Sequence, residues 1–270
     1  MKHAISNIAL PPFHHERELN QLGELGFSGL EVAPSRVWEN SARVKPAEVA
    51  QYRKRVEAAG LKVLGIHSLF FDQPDLGLFK GREVRERTLD FLTHLSQLCA
   101  DLGGRTLVYG SPRARRRNGL PLEEADREAE SFFEELCGRI NGHGTCFVIE
   151  ALGPTESDYI HSVRHALRIT QKVRHPALQS HLDAKAVTEA DEATSQVFRE
   201  VAPTLAHFHV NDPGLGVPGE TGKVDHQLLG RLLHEIDYQG YVSIEMRMVN
   251  PEEPMKPIRQ GLALLKRCYQ

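Results

Sequence analysis

Residues 16–34 read Glu16-Arg17-Glu18-Leu19-Asn20-Gln21-Leu22-Gly23-Glu24-Leu25-Gly26-Phe27-Ser28-Gly29-Leu30-Glu31-Val32-Ala33-Pro34, and this stretch holds the unit that decides the fold. Leu19, Leu22 and Leu25 recur at helical spacing on one face, and Gly26 stops the helix as a left-handed residue past its end does. The apolar run Gly29–Pro34 then follows within a few residues and reads as a strand. Gly60, Gly103 and Gly240 stand at the equivalent place before later apolar runs.

Worked outward, the same helix-then-strand alternation recurs along the chain without a change of character. Strands are expected at His3–Leu10, Gly29–Pro34, Leu61–Phe70, Arg105–Ser111, Thr145–Leu152, Leu178–Val187, Leu205–Asp212 and Tyr241–Arg247. Helices are expected near 16–26, 46–59, 81–102, 121–142, 159–173, 189–201, 226–236 and 254–268. Parallel strands need helical crossovers, and eight right-handed crossovers in succession close on themselves. The expectation is an α/β protein with a single TIM-barrel, (β/α)8, domain over residues 1–270. A doubly wound open sheet is the competing architecture, because Gly214-Leu215-Gly216-Val217-Pro218-Gly219 matches the dinucleotide-binding G-x-G-x-x-G. In that fingerprint the helix starts within the motif. Here Pro218 interrupts it, and the next helical pattern begins only near Asp225.

Composition narrows the function classes. The 270 residues carry 33 Lys and Arg against 36 Asp and Glu, a net charge of −3, with 40% apolar and 26% charged residues. Near-neutral charge removes the broad electrostatic reason to expect nucleic-acid binding. No stretch approaches the length of a membrane span, and no basic segment followed by an apolar one marks a leader, so a cytoplasmic chain is expected. Cys99, Cys137, Cys146 and Cys268 form no C-x-x-C pair, which argues against a disulfide framework or a zinc knuckle.

In a closed α/β barrel the active site lies where the strands end. Four consecutive strands end in groups that ligate metals: Phe147-Val148-Ile149-Glu150, Ser180-His181-Leu182-Asp183, His207-Phe208-His209 and Val242-Ser243-Ile244-Glu245. An unpaired charge at the end of an apolar strand costs several kcal/mol to bury, so these acids need compensation. One divalent cation held by Glu150, Asp183, His209 and Glu245 supplies it. Three carboxylates and one imidazole favour Mn, Mg or Co over Zn. Taken singly, each of these residues also reads as a helix N-cap, a salt-bridge partner or a hydrogen-bonded core histidine.

Residues two apart on a strand point to one side, which places Lys185, Asn211 and Arg247 over the same mouth as substrate contacts, with a polar rim as the plainer reading. The loop Ser111–Gly119 is the one cationic cluster, and its Arg115 and Arg116 are candidates for a substrate phosphate or carboxylate. Glu31 ends strand two, where a salt bridge to a neighbouring strand competes with a site role. Trp38 follows in the next loop, either against a sugar face or over the barrel rim.

These segments, together with Glu150-Ala151-Leu152-Gly153-Pro154-Thr155-Glu156, His181-Leu182-Asp183-Ala184-Lys185 and His207-Phe208-His209-Val210-Asn211-Asp212, resemble the xylose-isomerase-like, sugar phosphate isomerase/epimerase superfamily over essentially the whole chain. The resemblance implies a divalent-metal-dependent isomerase or epimerase acting on a sugar, sugar phosphate or cyclitol. Its chemistry is proton abstraction beside a carbonyl through a metal-stabilised enediolate, with Glu150 and Glu245 exchanging protons on opposite faces. It also implies substrate contact for Glu156 and for His67, which ends strand three. The chain departs from the pattern at Ala186 and Leu215, where epimerases of the group often carry a His and an Arg, so the substrate clamp differs. An inosose-type dehydratase on the same site and a non-catalytic metabolite-binding barrel are the alternatives. A repair endonuclease would call for a trinuclear site and a basic surface. The expected partner is a small carbohydrate. Homo-oligomers are common in the group, but the sequence assigns no interface.

Overall fold

The computed structural model describes residues Met1–Gln270. Eight parallel strands close into a barrel in sequence order: β1 (Lys2–Ser6), β2 (Gly29–Val32), β3 (Lys62–Ile66), β4 (Thr106–Tyr109), β5 (Cys146–Ile149), β6 (Leu178–Asp183), β7 (Leu205–Val210) and β8 (Tyr241–Ile244). The closing pairing sets His3 opposite Val242 and Ile5 opposite Ile244. The open doubly wound sheet is thereby excluded. The G-x-G-x-x-G segment lies in a loop, with Gly214 and Gly219 at positive φ and α8 beginning only at His226.

Eight α-helices connect the strands and a ninth follows β8: α1 (Glu16–Leu25), α2 (Pro46–Ala58), α3 (Arg82–Asp101), α4 (Leu122–Arg139), α5 (Val163–Val173), α6 (Ala184–Glu189), α7 (Ser195–Val201), α8 (His226–Glu235) and α9 (Met255–Cys268). In α1, Glu16 and Glu18 sit in the first turn where they complement the helix dipole, and Gly26 closes the last turn at φ 93° with its N–H bonded to Leu22 O. Ser162, Thr194 and Asp225 cap α5, α7 and α8 by accepting a backbone N–H three residues on. No helix is long and apolar enough to cross a membrane.

The eight expected strands and eight expected helices all occur, but β6 ends at Asp183 rather than at Val187, and α6 takes up the residues beyond it. Asp183 ends the strand and caps that helix, accepting from the Ala186 N–H at 2.8 Å.

The main apolar core, including Leu30, Leu92, Phe133, Phe147, Phe208 and Leu265, packs between the barrel and its helices. The barrel interior is different. Ser6, Glu31, His181, His207, His209 and Ser243 are all buried there, beside a small separate apolar cluster of Val108, Cys146 and Val148. Bonds from β2 to β7 and β8, which are not its neighbours, cross this interior.

Candidate active site

The C-terminal ends of β5 to β8 bring Glu150, Asp183, His209 and Glu245 together, with one ligating atom from each within 4.8 Å of the others. His209 is fully buried, and Nε2–H donates to Glu31 Oε2 at 2.9 Å. That bond leaves Nδ1 facing Glu150 Oε1 at 3.5 Å and Glu245 Oε2 at 3.4 Å, with no hydrogen-bond partner of its own. Glu150 reaches this position past Gly110, where a Cβ would lie 1.6 Å from Glu150 Oε2, so a side chain there would push the carboxylate out of place.

The buried charges of the quartet shift one another. Burial, then the neighbouring Glu150 and Glu245 carboxylates, pushes Asp183 up to about 8. Burial would depress His209, but the Glu31 and Glu245 carboxylates hold it well above the ordinary histidine value. Burial would likewise raise Glu245, and the His209 charge draws it well below. Protons thus stand where a divalent ion would neutralise the same oxygens. Asn211 bridges the acids, its Nδ2 donating to Asp183 Oδ2 at 2.5 Å and to Glu245 Oε2 at 3.0 Å. An orphaned, buried Nδ1 facing three crowded carboxylates fits a hard divalent cation bound through oxygen with one nitrogen.

Beneath the quartet lies a layer that sequence reading did not assemble. Glu31, fully buried, accepts from His209 and from Ser243 Oγ at 3.0 Å, and lies 3.1 Å from His207 Nε2. Its partners are across the barrel rather than on an adjoining strand. Burial would raise its carboxyl, but the His209 and His207 imidazoles pull it well below the usual range. His181 is buried with neither ring nitrogen hydrogen-bonded, and burial, then His209 and His207, push it well below the histidine value.

A cavity of about 610 Å³ opens above the quartet. His67, Glu156, Lys185 and Asn211 line it. His67 is hydrogen-bonded to Ser6 Oγ through Nε2 at 2.5 Å, and its Nδ1 lies 3.4 Å from Glu245 Oε1. Lys185 is buried in the first turn of α6, not on a strand, and pairs with Glu156 Oε2 at 2.5 Å.

Three expected contacts are corrected. Arg247 lies past the end of β8, exposed and away from the cavity walls, because the alternation that was to orient it stops at Ile244. Arg115 is fully buried and spends its guanidinium on the Glu150 and Tyr109 carbonyls at 2.7 and 2.6 Å, so it supports the site from below. Arg116 is exposed and does not line the cavity. The arginine of that run that does line it is Arg113. A charge run carries no signal for which member faces inward. Trp38 packs edge-on against Tyr52.

Fold and site together define a closed α/β barrel with an acid-rich, cation-ready cluster at the C-terminal ends of its strands. The family model described as xylose isomerase-like TIM barrel matches residues 19–268, and the chain belongs to that family. Relatives include the fructoselysine 3-epimerase of Escherichia coli O157:H7, 23% identical over 92% of this chain and 90% of its own length. The 3-dehydro-D-guloside 4-epimerase of Escherichia coli K12 is 24% identical over 99% of this chain and 100% of its own. Among solved structures, the D-psicose 3-epimerase of Clostridium cellulolyticum H10 with D-tagatose superposes with a TM-score of 0.82 at 16% identity, covering 100% of both chains. The homologues are sugar epimerases and isomerases.

Proposed function

We propose that this protein is a divalent-metal-dependent sugar isomerase or epimerase that moves a proton at a carbon beside a carbonyl. The observation that carries this reading is the His209 Nδ1, buried without a partner and aimed at the three carboxylates while Glu31 holds the opposite nitrogen.

A divalent ion bound by Glu150, Asp183, His209 and Glu245 supplies Lewis-acid stabilisation of the negative charge that develops on substrate oxygens as the carbon-bound proton leaves. The protein's own groups do the rest. Glu150 and Glu245, from β5 and β8, enter the cavity floor from different sides and are the pair that takes the proton from one face and returns it on the other. Asn211 fixes the Glu245 carboxylate through Oε2, and His67 lies against Oε1, so this base has a defined orientation. Glu156 and Lys185 meet the substrate as an ion pair, offering an acceptor and a donor to its hydroxyls.

The test is hydrogen exchange. Protein incubated with Mn²⁺ and a panel of ketoses and inososes in D₂O is expected to place deuterium at the carbon beside the carbonyl, read by NMR and mass. Absence of exchange across the panel with metal-loaded protein sinks the reading. A product lighter by one water replaces epimerisation by dehydration.

A further inference from the structure

The cavity is built in two parts. Its floor is polar, with Glu150, Asp183, Glu245, Asn211, Lys185 and Glu156. Its outer wall comes from the loops between β3 and α3 and between β4 and α4; the first carries the apolar group Phe70, Phe71, Pro74 and Leu76 beside Ser68 and Gln73, faced by Leu152 and Leu215, and the second brings Arg113.

Two residues on this wall have no structural occupation. Phe71 is 80% exposed, the most exposed large apolar side chain of the protein, and it lines the cavity. Arg113 also lines it and makes no ion pair or side-chain hydrogen bond, whereas Arg115 and Arg117 of the same run are committed to the Glu150 and Tyr109 carbonyls and to Asp158. A free sugar presents hydroxyls on every side and leaves an apolar wall and an unpaired cation unsatisfied. We infer that the substrate is a keto-sugar conjugate, whose sugar head sits on the polar floor and whose apolar arm, ending in a carboxylate, runs along Phe71 to Arg113.

This inference deepens the proposed reading, resting on it for the placement of the sugar head. The arm brings a carboxylate to the one free guanidinium of the site, a bidentate pairing that a hydroxyl does not reproduce. Each buried methylene contributes about 0.8 kcal/mol, or roughly fourfold in affinity, so a short alkyl arm covered by Phe71 raises affinity at least about tenfold.

The test uses three probes with Mn²⁺-loaded protein: D-fructose, hexyl-D-fructose and (5-carboxypentyl)-D-fructose, the last two substituted in turn through O1 and O6. Binding is measured by calorimetry and deuterium exchange by NMR. The carboxypentyl probe at one of the two positions is expected to bind at least about tenfold more tightly than fructose and more tightly than the hexyl probe. Arg113→Gln is expected to collapse the carboxypentyl-to-hexyl affinity ratio towards one, and Phe71→Ser to shrink the hexyl-to-fructose ratio. Equal affinity and equal kcat/KM for all three probes overturns the inference while leaving the epimerase reading intact, and so does failure of all three to bind. Preferential binding of the carboxypentyl probe without exchange from any probe supports the arm site and counts against the catalytic reading.

Discussion

Replacing Glu31 by Gln tests the support beneath the proposed metal site more sharply than replacing one of its four residues. The carboxylate is fully buried, accepts from His209 Nε2–H at 2.9 Å and Ser243 Oγ at 3.0 Å, and lies 3.1 Å from His207 Nε2. Glutamine keeps the shape, loses the charge, and turns an NH₂ towards one of the groups that the carboxylate faced. The Nε2–H bond that keeps His209 Nδ1 available is weakened, and with it the basicity of the ligand. Loss of such an outer partner lowers metal affinity about 10- to 100-fold, equivalent to about 1.4 to 2.7 kcal/mol. The assay is calorimetric titration of the metal-free protein with Mn²⁺, backed by the thermal midpoint at fixed metal. Metal-induced stabilisation follows the logarithm of ligand concentration over Kd, so it shrinks by the same amount once metal is in excess. An Mn²⁺ affinity within twofold of wild type, in a variant of unchanged circular dichroism, would refute the reasoning.

Further outcomes follow from the same geometry. Glu245→Gln is expected to preserve the fold and lower deuterium exchange by about 10² to 10⁴, the usual share of a general base; near wild-type exchange removes Glu245 from the proton path. Arg115→Met leaves the Glu150 carbonyl buried without a donor and the Tyr109 carbonyl with only the Glu150 N–H at 3.3 Å, a loss of about 1 to 3 kcal/mol for the first in urea unfolding. Arg115→Lys is expected to recover only part, because one ammonium does not reproduce the two-pronged fork; full recovery contradicts that assignment. Near neutral pH the metal-free site holds a proton on Asp183, whose carboxyl is raised to about 8, and one on His209, raised well above 6.5. Both must leave as the ion binds, so Mn²⁺ affinity is expected to rise from pH 6 to 8 with release of between one and two protons. Calorimetry in buffers of different ionisation enthalpy reads that release, and a pH-independent Kd disproves it.

The legible and illegible parts of this molecule divide along the range of the physical signal. Leu19, Leu22, Leu25 and Gly26 announce α1 and its end because helical period and a left-handed cap are local. That Glu150, Asp183, His209 and Glu245 come together was equally legible, since each stands at the end of its own strand. The six-residue α6 was missed because one and a half turns of Ala184-Lys185-Ala186-Val187 show no period, and the run continues the apolar character of β6. Glu31 was out of reach for another reason. Its partner His209 lies 178 residues away, and only closure of the barrel brings the end of β2 opposite β7. The cationic run at 113–117 displayed its charge but not its directions: Arg115 turns inward to carbonyls, Arg113 to the cavity, Arg117 to Asp158.

The imidazole layer inside the barrel bears on any effort to engineer this scaffold. His181 fills a buried position with two ring nitrogens that bond to nothing, so a leucine of similar bulk would remove two desolvated polar atoms and toughen the protein against heat. Directed evolution that screens only for survival at high temperature will therefore drift towards greasy replacements in the barrel interior, next to the strand-end cluster of Glu150, Asp183, His209 and Glu245. Libraries for industrial variants are better confined to the outer helices, with the interior histidines held constant.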